Sequence, residues 1–143
     1  MDHEQTLKLW HHIAFDKKVD LLDQLLADDV VFHAPLYLKP RKGKQAAGFI
    51  LSNVIEIFEN FTYHREIIHH DEVEGDSWML EFSANIGPYK LKGIDLIRWN
   101  DEGQIVDFEV YIRPINAIQA LGEAMTARIE AAGMLDKITE STK

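Results

Sequence analysis

The stretch KGIDLIRWN, residues 92–100, decides how the chain folds, because it places one acid in the middle of an otherwise apolar strand. Side chains of a strand alternate between two faces, so Asp95 shares a side with Gly93, Ile97 and Trp99. If that side is buried, the pKa of Asp95 is raised and its carboxyl can donate a hydrogen bond near neutral pH. If it is not, Asp95 is a surface aspartate or pairs with a base across the sheet. The pattern leaves both interpretations open.

The segments around this stretch are also typical of strands. Turn residues at positions 75–76, 87–88 and 100–103 separate four alternating runs. These runs span 62–74, 77–86, 89–99 and 104–112, and they predict a four-stranded antiparallel meander. In the second run the apolar alternation is clean, with Trp78, Leu80 and Phe82 on the side expected to face inward.

Helical spacing of apolar residues dominates the first part of the chain. It predicts helices over residues 7–14, 19–26 and 45–59, with a short strand at 30–34 that Pro35 stops. A last helix begins near Pro114 and ends near Gly133, followed by a polar tail that we expect to fray. Helices first and strands later indicate an α+β fold. We predict one domain over residues 1–143, with a cone-shaped curved antiparallel sheet wrapped around the N-terminal helices, a C-terminal helix and an internal apolar cavity.

Composition excludes several classes of function. With 24 acidic and 15 basic residues the formal net charge is -9, which argues against nucleic-acid binding and against attraction to an anionic membrane. The longest uncharged stretch, residues 45–55, is too short to span a bilayer, and the first residues lack the pattern of a signal peptide, so we expect a cytoplasmic protein. The absence of cysteine excludes disulfides and thiolate chemistry. We expect no cofactor.

Two polar clusters are weaker signals. His69, His70 and Asp71 are adjacent, so strand geometry points them to opposite faces, and we predict no metal site there. The basic residues between Lys39 and Lys44 precede a helix. They are either a solvated loop or a place where a helix N-terminus holds an anion.

Four passages together resemble the nuclear transport factor 2-like superfamily, which includes SnoaL-like polyketide cyclases, limonene-epoxide hydrolase and bacterial ketosteroid isomerases. The passages are LLADDVVFHAP at 25–35, PRKG at 40–43, the stretch from Ile94 to Asn100, and GQIV at 103–106. The resemblance covers nearly the whole chain and implies a cystatin-like α+β roll. It does not fix the reaction, because this fold hosts isomerases, cyclases, hydrolases and members without catalysis.

The resemblance also suggests roles for single residues. Asp95 matches the isomerase acid that stays protonated and donates to the substrate oxygen. Trp10 matches the tyrosine donor of that site, although an indole N–H can donate but cannot exchange a proton. The isomerase base corresponds to Ala34, which argues against steroid isomerisation by that mechanism. Val110 stands where the epoxide hydrolase family holds an acid, which argues against epoxide opening.

We therefore predict a small-molecule protein in which Asp95 donates to a carbonyl or hydroxyl oxygen of an apolar or aromatic ligand. As an enzyme, it would catalyse proton transfer, isomerisation or cyclisation, with His33 as the base. As the alternative, it is a ligand-binding or dimerisation module without turnover, and His33 is a strand histidine bonded to backbone. The predicted ligand-binding residues are apolar or aromatic, namely Trp10, Phe49, Trp78, Phe82, Trp99, Phe108, Val110 and Ile112.

The last strand also suggests a partner. Glu109, Tyr111 and Arg113 share its polar face, and relatives with this fold often dimerise through that side of the sheet. Glu109 and Arg113 could pair across a two-fold axis, where one patch meets itself. We expect a homodimer through this outer face.

Overall fold

A computed structural model describes residues 2–133 and confirms the predicted α+β fold. Within these residues no helix is both long enough and apolar enough to cross a membrane. The polar tail predicted after Gly133 lies outside the described residues. The helices are α1 (His3–Asp16), α2 (Leu22–Leu25, after a 3-10 turn at Val19–Leu21), α3 (Lys44–Ile57) and α4 (Ile115–Ala131). The strands are β1 (Leu26–His33), β2 (Arg41–Lys42), β3 (Glu59–His69), β4 (Ser77–Ile86), β5 (Tyr89–Trp99) and β6 (Ile105–Arg113).

The six strands form one curved sheet in the order β2-β1-β6-β5-β4-β3. Strands β3 to β6 are the predicted antiparallel meander, and the bounds of β4 and β5 agree with those read from the sequence. β1 pairs in parallel with β6, and the two-residue β2, which the sequence analysis missed, pairs with β1 at the edge. β1 also begins four residues earlier than predicted, because the backbone of Leu26 is already extended where the single turn of α2 ends.

The three longer helices pack against the concave side of this sheet. A capping box fixes the start of α1: Gln5 N donates to Asp2 Oδ1 (2.8 Å), and Asp2 N donates to Gln5 Oε1 (3.1 Å). The helix ends at Lys17, which adopts a left-handed conformation with φ 54°. The buried side of α1 thus lies under the sheet and includes Trp10 and Ile13.

Alternation along β5 settles which side of this strand is inside. Leu91, Gly93, Asp95, Ile97 and Trp99 are all buried, whereas the residues between them are exposed or half-buried. Gly93 is required for close packing, since a Cβ there would lie 2.5 Å from Phe82 Cζ and would also clash with the Tyr111 carbonyl oxygen. The inner face of β5 is therefore the buried face, and the first of the two interpretations of Asp95 is confirmed.

Candidate functional site

Asp95 lies at the concave face of the sheet with only 4% of its surface exposed. It borders a small cavity, open at one side, between α1, α3 and the sheet. The other residues that line this cavity are apolar or aromatic, namely Trp10, Ala14, Leu51, Val54, Ile55, Phe58, Phe61, Phe108 and Val110. A carboxyl group thus stands in an otherwise hydrophobic wall.

A chain of two hydrogen bonds holds the carboxyl. The Tyr63 hydroxyl donates to Asp95 Oδ2 at 2.6 Å. Trp10 Nε1 in turn donates to the Tyr63 hydroxyl oxygen, also at 2.6 Å. The indole N–H therefore orients Tyr63, and the predicted role of Trp10 as a donor to a ligand oxygen stays a prediction. One carboxylate oxygen, Oδ2, is fixed by Tyr63.

The surroundings displace the pKa of both acidic groups. Burial raises the pKa of Asp95 from 3.8 to about 7, and the hydrogen bond from Tyr63 opposes this rise. The pKa of Tyr63 is raised well above 10, first by burial and then by the negative charge of Asp95. At neutral pH a large fraction of Asp95 is protonated and is a hydrogen-bond donor, while Tyr63 stays a neutral phenol.

Tyr63 is the site residue that the sequence analysis missed. It lies on β3 opposite Phe82 of β4, and this register places its side chain on the inner face. Its ring packs edge to face on Phe61 with centroids 4.9 Å apart. The spacing of Phe61 and Tyr63, two residues apart in a strand, was a signal that both face inward. The sequence did not show which strand lies opposite Asp95 on the concave side.

His33, the predicted base, lies on the other face of the sheet. In the parallel pairing of β1 with β6, Phe32 is aligned with the buried Phe108, and His33 is aligned with Glu109. His33 Nε2 contacts Asp107 Oδ1 at 3.0 Å. The structure therefore does not bring His33 and Asp95 together, because successive residues of β1 point to opposite sides.

The predicted apolar ligand residues fall into separate groups. Trp10, Phe108 and Val110 line the cavity beside Asp95. Phe82 is fully buried behind it against Phe58 and Phe61, and Trp78 packs edge to face on Trp99 with centroids 6.4 Å apart. Phe49 borders a surface groove beside α2. The side chains of Phe82, Trp78, Trp99 and Phe49 thus belong to the core or its rim. Alternation along a strand shows which face of the sheet a residue occupies, but it does not show how close that residue lies to Asp95.

Val110 and Ile112 also line a second small cavity, between β6, α3 and α4. Val54 and Val110 border both cavities, so these two valines form the partition between them. The second cavity is bordered as well by Arg41, which is 5% exposed and whose guanidinium carbon lies 5.2 Å from the centre of the Tyr37 ring. The basic segment before α3 is thus divided: Arg41 is buried, whereas Lys39 and Lys42 are exposed.

Comparison with known proteins defines the class. The model of the SnoaL-like domain matches residues 8–108, and the chain belongs to this family. A steroid delta-isomerase from Pseudomonas aeruginosa is 42% identical, with 91% of this chain and 93% of that chain covered and a TM-score of 0.83. A protein from Silicibacter pomeroyi with a cystatin-like fold is 34% identical, with 95% and 93% covered and a TM-score of 0.82. A search of curated proteins finds no match.

A more distant structure supports the fold only. SalBIII, described as an epoxide hydrolase/cyclase-like enzyme in pyran ring formation in salinomycin, is 13% identical, with 80% and 92% covered and a TM-score of 0.61. These similarities confirm the predicted relation to nuclear transport factor 2-like proteins and to ketosteroid isomerases. Proteins with this fold carry out several different reactions, so the reaction has to be argued from the residues of the site.

Proposed function

We propose that the cavity beside Asp95 binds a small apolar or aromatic molecule through a carbonyl or hydroxyl oxygen, and that Asp95 stabilises the negative charge on that oxygen while a neighbouring proton passes to water at the open side of the cavity. The observation that carries this proposal is the buried carboxyl in an apolar wall, with Oδ2 held by Tyr63 and its pKa raised to about 7. The 42% identity to a steroid delta-isomerase supports a carbonyl compound as the ligand.

The chemistry follows from the charge that develops during such a reaction. Removing a proton next to a carbonyl places negative charge on the carbonyl oxygen. A neutral Asp95 donates a hydrogen bond to that oxygen, and the bond strengthens as the charge grows. The apolar residues around it exclude water, which makes the same hydrogen bond worth more than it is in solution.

The test uses two probes, a phenol that resembles an enolate and a β,γ-unsaturated ketosteroid whose isomerisation gives a conjugated enone detectable by ultraviolet absorption. We expect Asp95→Asn to weaken phenol binding by about tenfold or more and to reduce enone formation at least as strongly. Glu81→Gln is the matched control, because Glu81 is a carboxylate on the neighbouring strand whose partner is Arg65 on the outer face. Equal binding by the wild type and Asp95→Asn would contradict the proposal.

The pH dependence gives the same test a second measure. A neutral ketone should bind best below about pH 7, where Asp95 carries its proton. Above this pH its affinity should fall by about tenfold per pH unit, because an ionised carboxylate cannot donate. Affinity that is flat between about pH 6 and 9 would show that Asp95 is not the donor.

A second candidate function is ligand binding without turnover. Among the described residues that line the cavity, Asp95 is the only one with a titratable side chain. His33, which the sequence predicted as the base, lies on the outer face of the sheet. This arrangement favours a binding protein, since proton abstraction needs a base within reach of the carbon. Asp95-dependent binding of both probes without enone formation would select this candidate.

We also propose that the outer face of the sheet pairs with a second copy of the chain. Glu109, Tyr111 and Arg113 lie on this face, and their neighbours on it include the half-exposed apolar Met79 and Ile94. A two-fold axis through the patch would bring Glu109 of each copy to Arg113 of the other.

Light scattering after size exclusion tests this pairing. We expect a dimer for the wild type and for the control Leu38→Glu, whose side chain is exposed in the loop between β1 and β2, and a monomer for Tyr111→Glu. A monomeric wild type at micromolar concentration would overturn it.

A further inference from the structure

His33, Asp107 and Glu109 form a cluster on the outer face of the sheet that the proposed reaction does not use. One ligand atom from each of the three lies within 4.8 Å of the others, and within the described part of the chain no other group of three such residues comes this close. His33 Nε2 and Asp107 Oδ1 are 3.0 Å apart. All three side chains are half-buried rather than fully solvated.

The backbone fixes this arrangement. His33 of β1 is directly aligned with Glu109 of β6 in the parallel ladder, and Asp107 precedes Glu109 by two residues on the same face. The cluster thus stands on two hydrogen-bonded strands rather than on a loop.

From this geometry we infer that His33, Asp107 and Glu109 bind a divalent first-row transition-metal ion, with Zn²⁺ as the reference ion. Ligands about 2.0 to 2.2 Å from a zinc ion lie about 3 to 3.5 Å from one another, which the His33–Asp107 distance already meets. A small rotation of Glu109 brings in the third ligand. One imidazole with two carboxylates suits zinc, manganese or iron(II), and water would complete the coordination.

Charge supports a cation at this place. Asp107 and Glu109 bring two carboxylates to one neutral or singly charged imidazole, in a protein of net charge -9. Arg98 is the cation aligned with Asp107 in the β5–β6 ladder, and its Nη1 donates to the Glu74 carbonyl at 3.4 Å. A bound ion would neutralise the carboxylates more completely than His33 alone.

The test is a titration of the full chain with Zn²⁺ by calorimetry, together with NMR line broadening by Mn²⁺. We expect one ion per chain, a loss of affinity of tenfold or more in His33→Ala and in Asp107→Asn, and selective broadening of the amide signals of His33 and Glu109. His70→Ala is the matched control, because His70 and Asp76 form another histidine–carboxylate contact, of 3.1 Å, in the turn between β3 and β4.

Circular dichroism shows whether each variant is folded. If His33→Ala does not fold, His33→Gln replaces it. Glu109 belongs both to the proposed metal site and to the proposed dimer surface, so the tested variants are at His33 and Asp107, and the oligomeric state of each is checked by light scattering. Absence of saturable binding overturns the inference. It is also overturned if the affinity survives in both His33 and Asp107 variants, or falls in His70→Ala alone.

Discussion

Asp95 and Glu81 lie one residue out of register on neighbouring strands of the same sheet, and their pKa values are displaced in opposite directions. In the β4–β5 ladder Asp95 is aligned with Leu80, and Glu81 is aligned with Ile94. Burial raises the pKa of Asp95 to about 7, whereas hydrogen bonds from Arg65 lower the pKa of Glu81 to about 2. The side of the sheet to which a carboxyl points thus decides whether it is a donor or an ion pair at neutral pH.

The partners of the two carboxyls explain this difference. Glu81 receives two hydrogen bonds from the Arg65 guanidinium, one of them from Nε at 3.1 Å, and each favours the charged form. Asp95 receives one hydrogen bond from a neutral phenol and is otherwise surrounded by hydrocarbon. A single neutral donor does not compensate for the loss of water around a carboxylate.

The largest expected effect is on the pH dependence of stability. Between about pH 4 and 7 the unfolded chain has ionised Asp95 while the folded chain keeps its proton, so the free energy of unfolding falls as the pH rises. The difference between 3.8 and about 7 corresponds to roughly 4 kcal/mol. Asp95→Asn should abolish this fall, as measured by urea unfolding at a series of pH values.

Glu81→Gln should change the pH dependence of the free energy of unfolding in the opposite direction, measured by the same urea unfolding at a series of pH values. The pKa of Glu81 is lowered, so its stabilising contribution is present above about pH 4 and is lost as the pH falls toward about 2. The variant should differ from the wild type in pH dependence only in that acid range. If the two variants changed the same pH range, the contrast between the faces would be wrong.

The next largest effect concerns space on the two faces. Gly93→Ala would place a methyl group 2.5 Å from Phe82 Cζ and against the Tyr111 carbonyl, so we expect destabilisation of about 3 kcal/mol or more. Lys92→Ala, one residue away on the exposed face, should change stability by less than about 0.5 kcal/mol. Unfolding midpoints in urea compare the two, and similar values would mean that the inner face is loosely packed.

The smallest effect separates the phenol from the carboxyl. Tyr63→Phe removes the hydrogen bond that lowers the pKa of Asp95, so this pKa should rise above about 7. It also leaves Trp10 Nε1 without its acceptor, at a cost of about 1 to 3 kcal/mol. Tyr111→Phe on the outer face is the control and should leave the Asp95 titration unchanged. An unchanged pKa in Tyr63→Phe would show that the relay does not act on Asp95.

Local alternation predicted the strands and placed Asp95 on one side with Gly93, Ile97 and Trp99, but it left open whether that side is buried. The resemblance to ketosteroid isomerases favoured the buried side. The turns at 87–88 and 100–103 gave the bounds of β4 and β5 closely, and the period of two in β5 was regular. The contact of Tyr63 with Asp95 and the contact of His33 with Asp107 were beyond such reasoning. Both contacts depend on the pairing of β3 with β4 and of β1 with β6. Local alternation does not show which strand pairs with which.

The most direct test of the account is the titration of the Asp95 carboxyl carbon by NMR, with Asp95→Asn used to assign the signal. We expect a pKa of about 7, and a further rise in the Tyr63→Phe variant. A neutral donor would then face the cavity under physiological conditions. A value near the ordinary 3.8 would contradict the account, because it would mean that water or an opposite charge reaches the carboxyl.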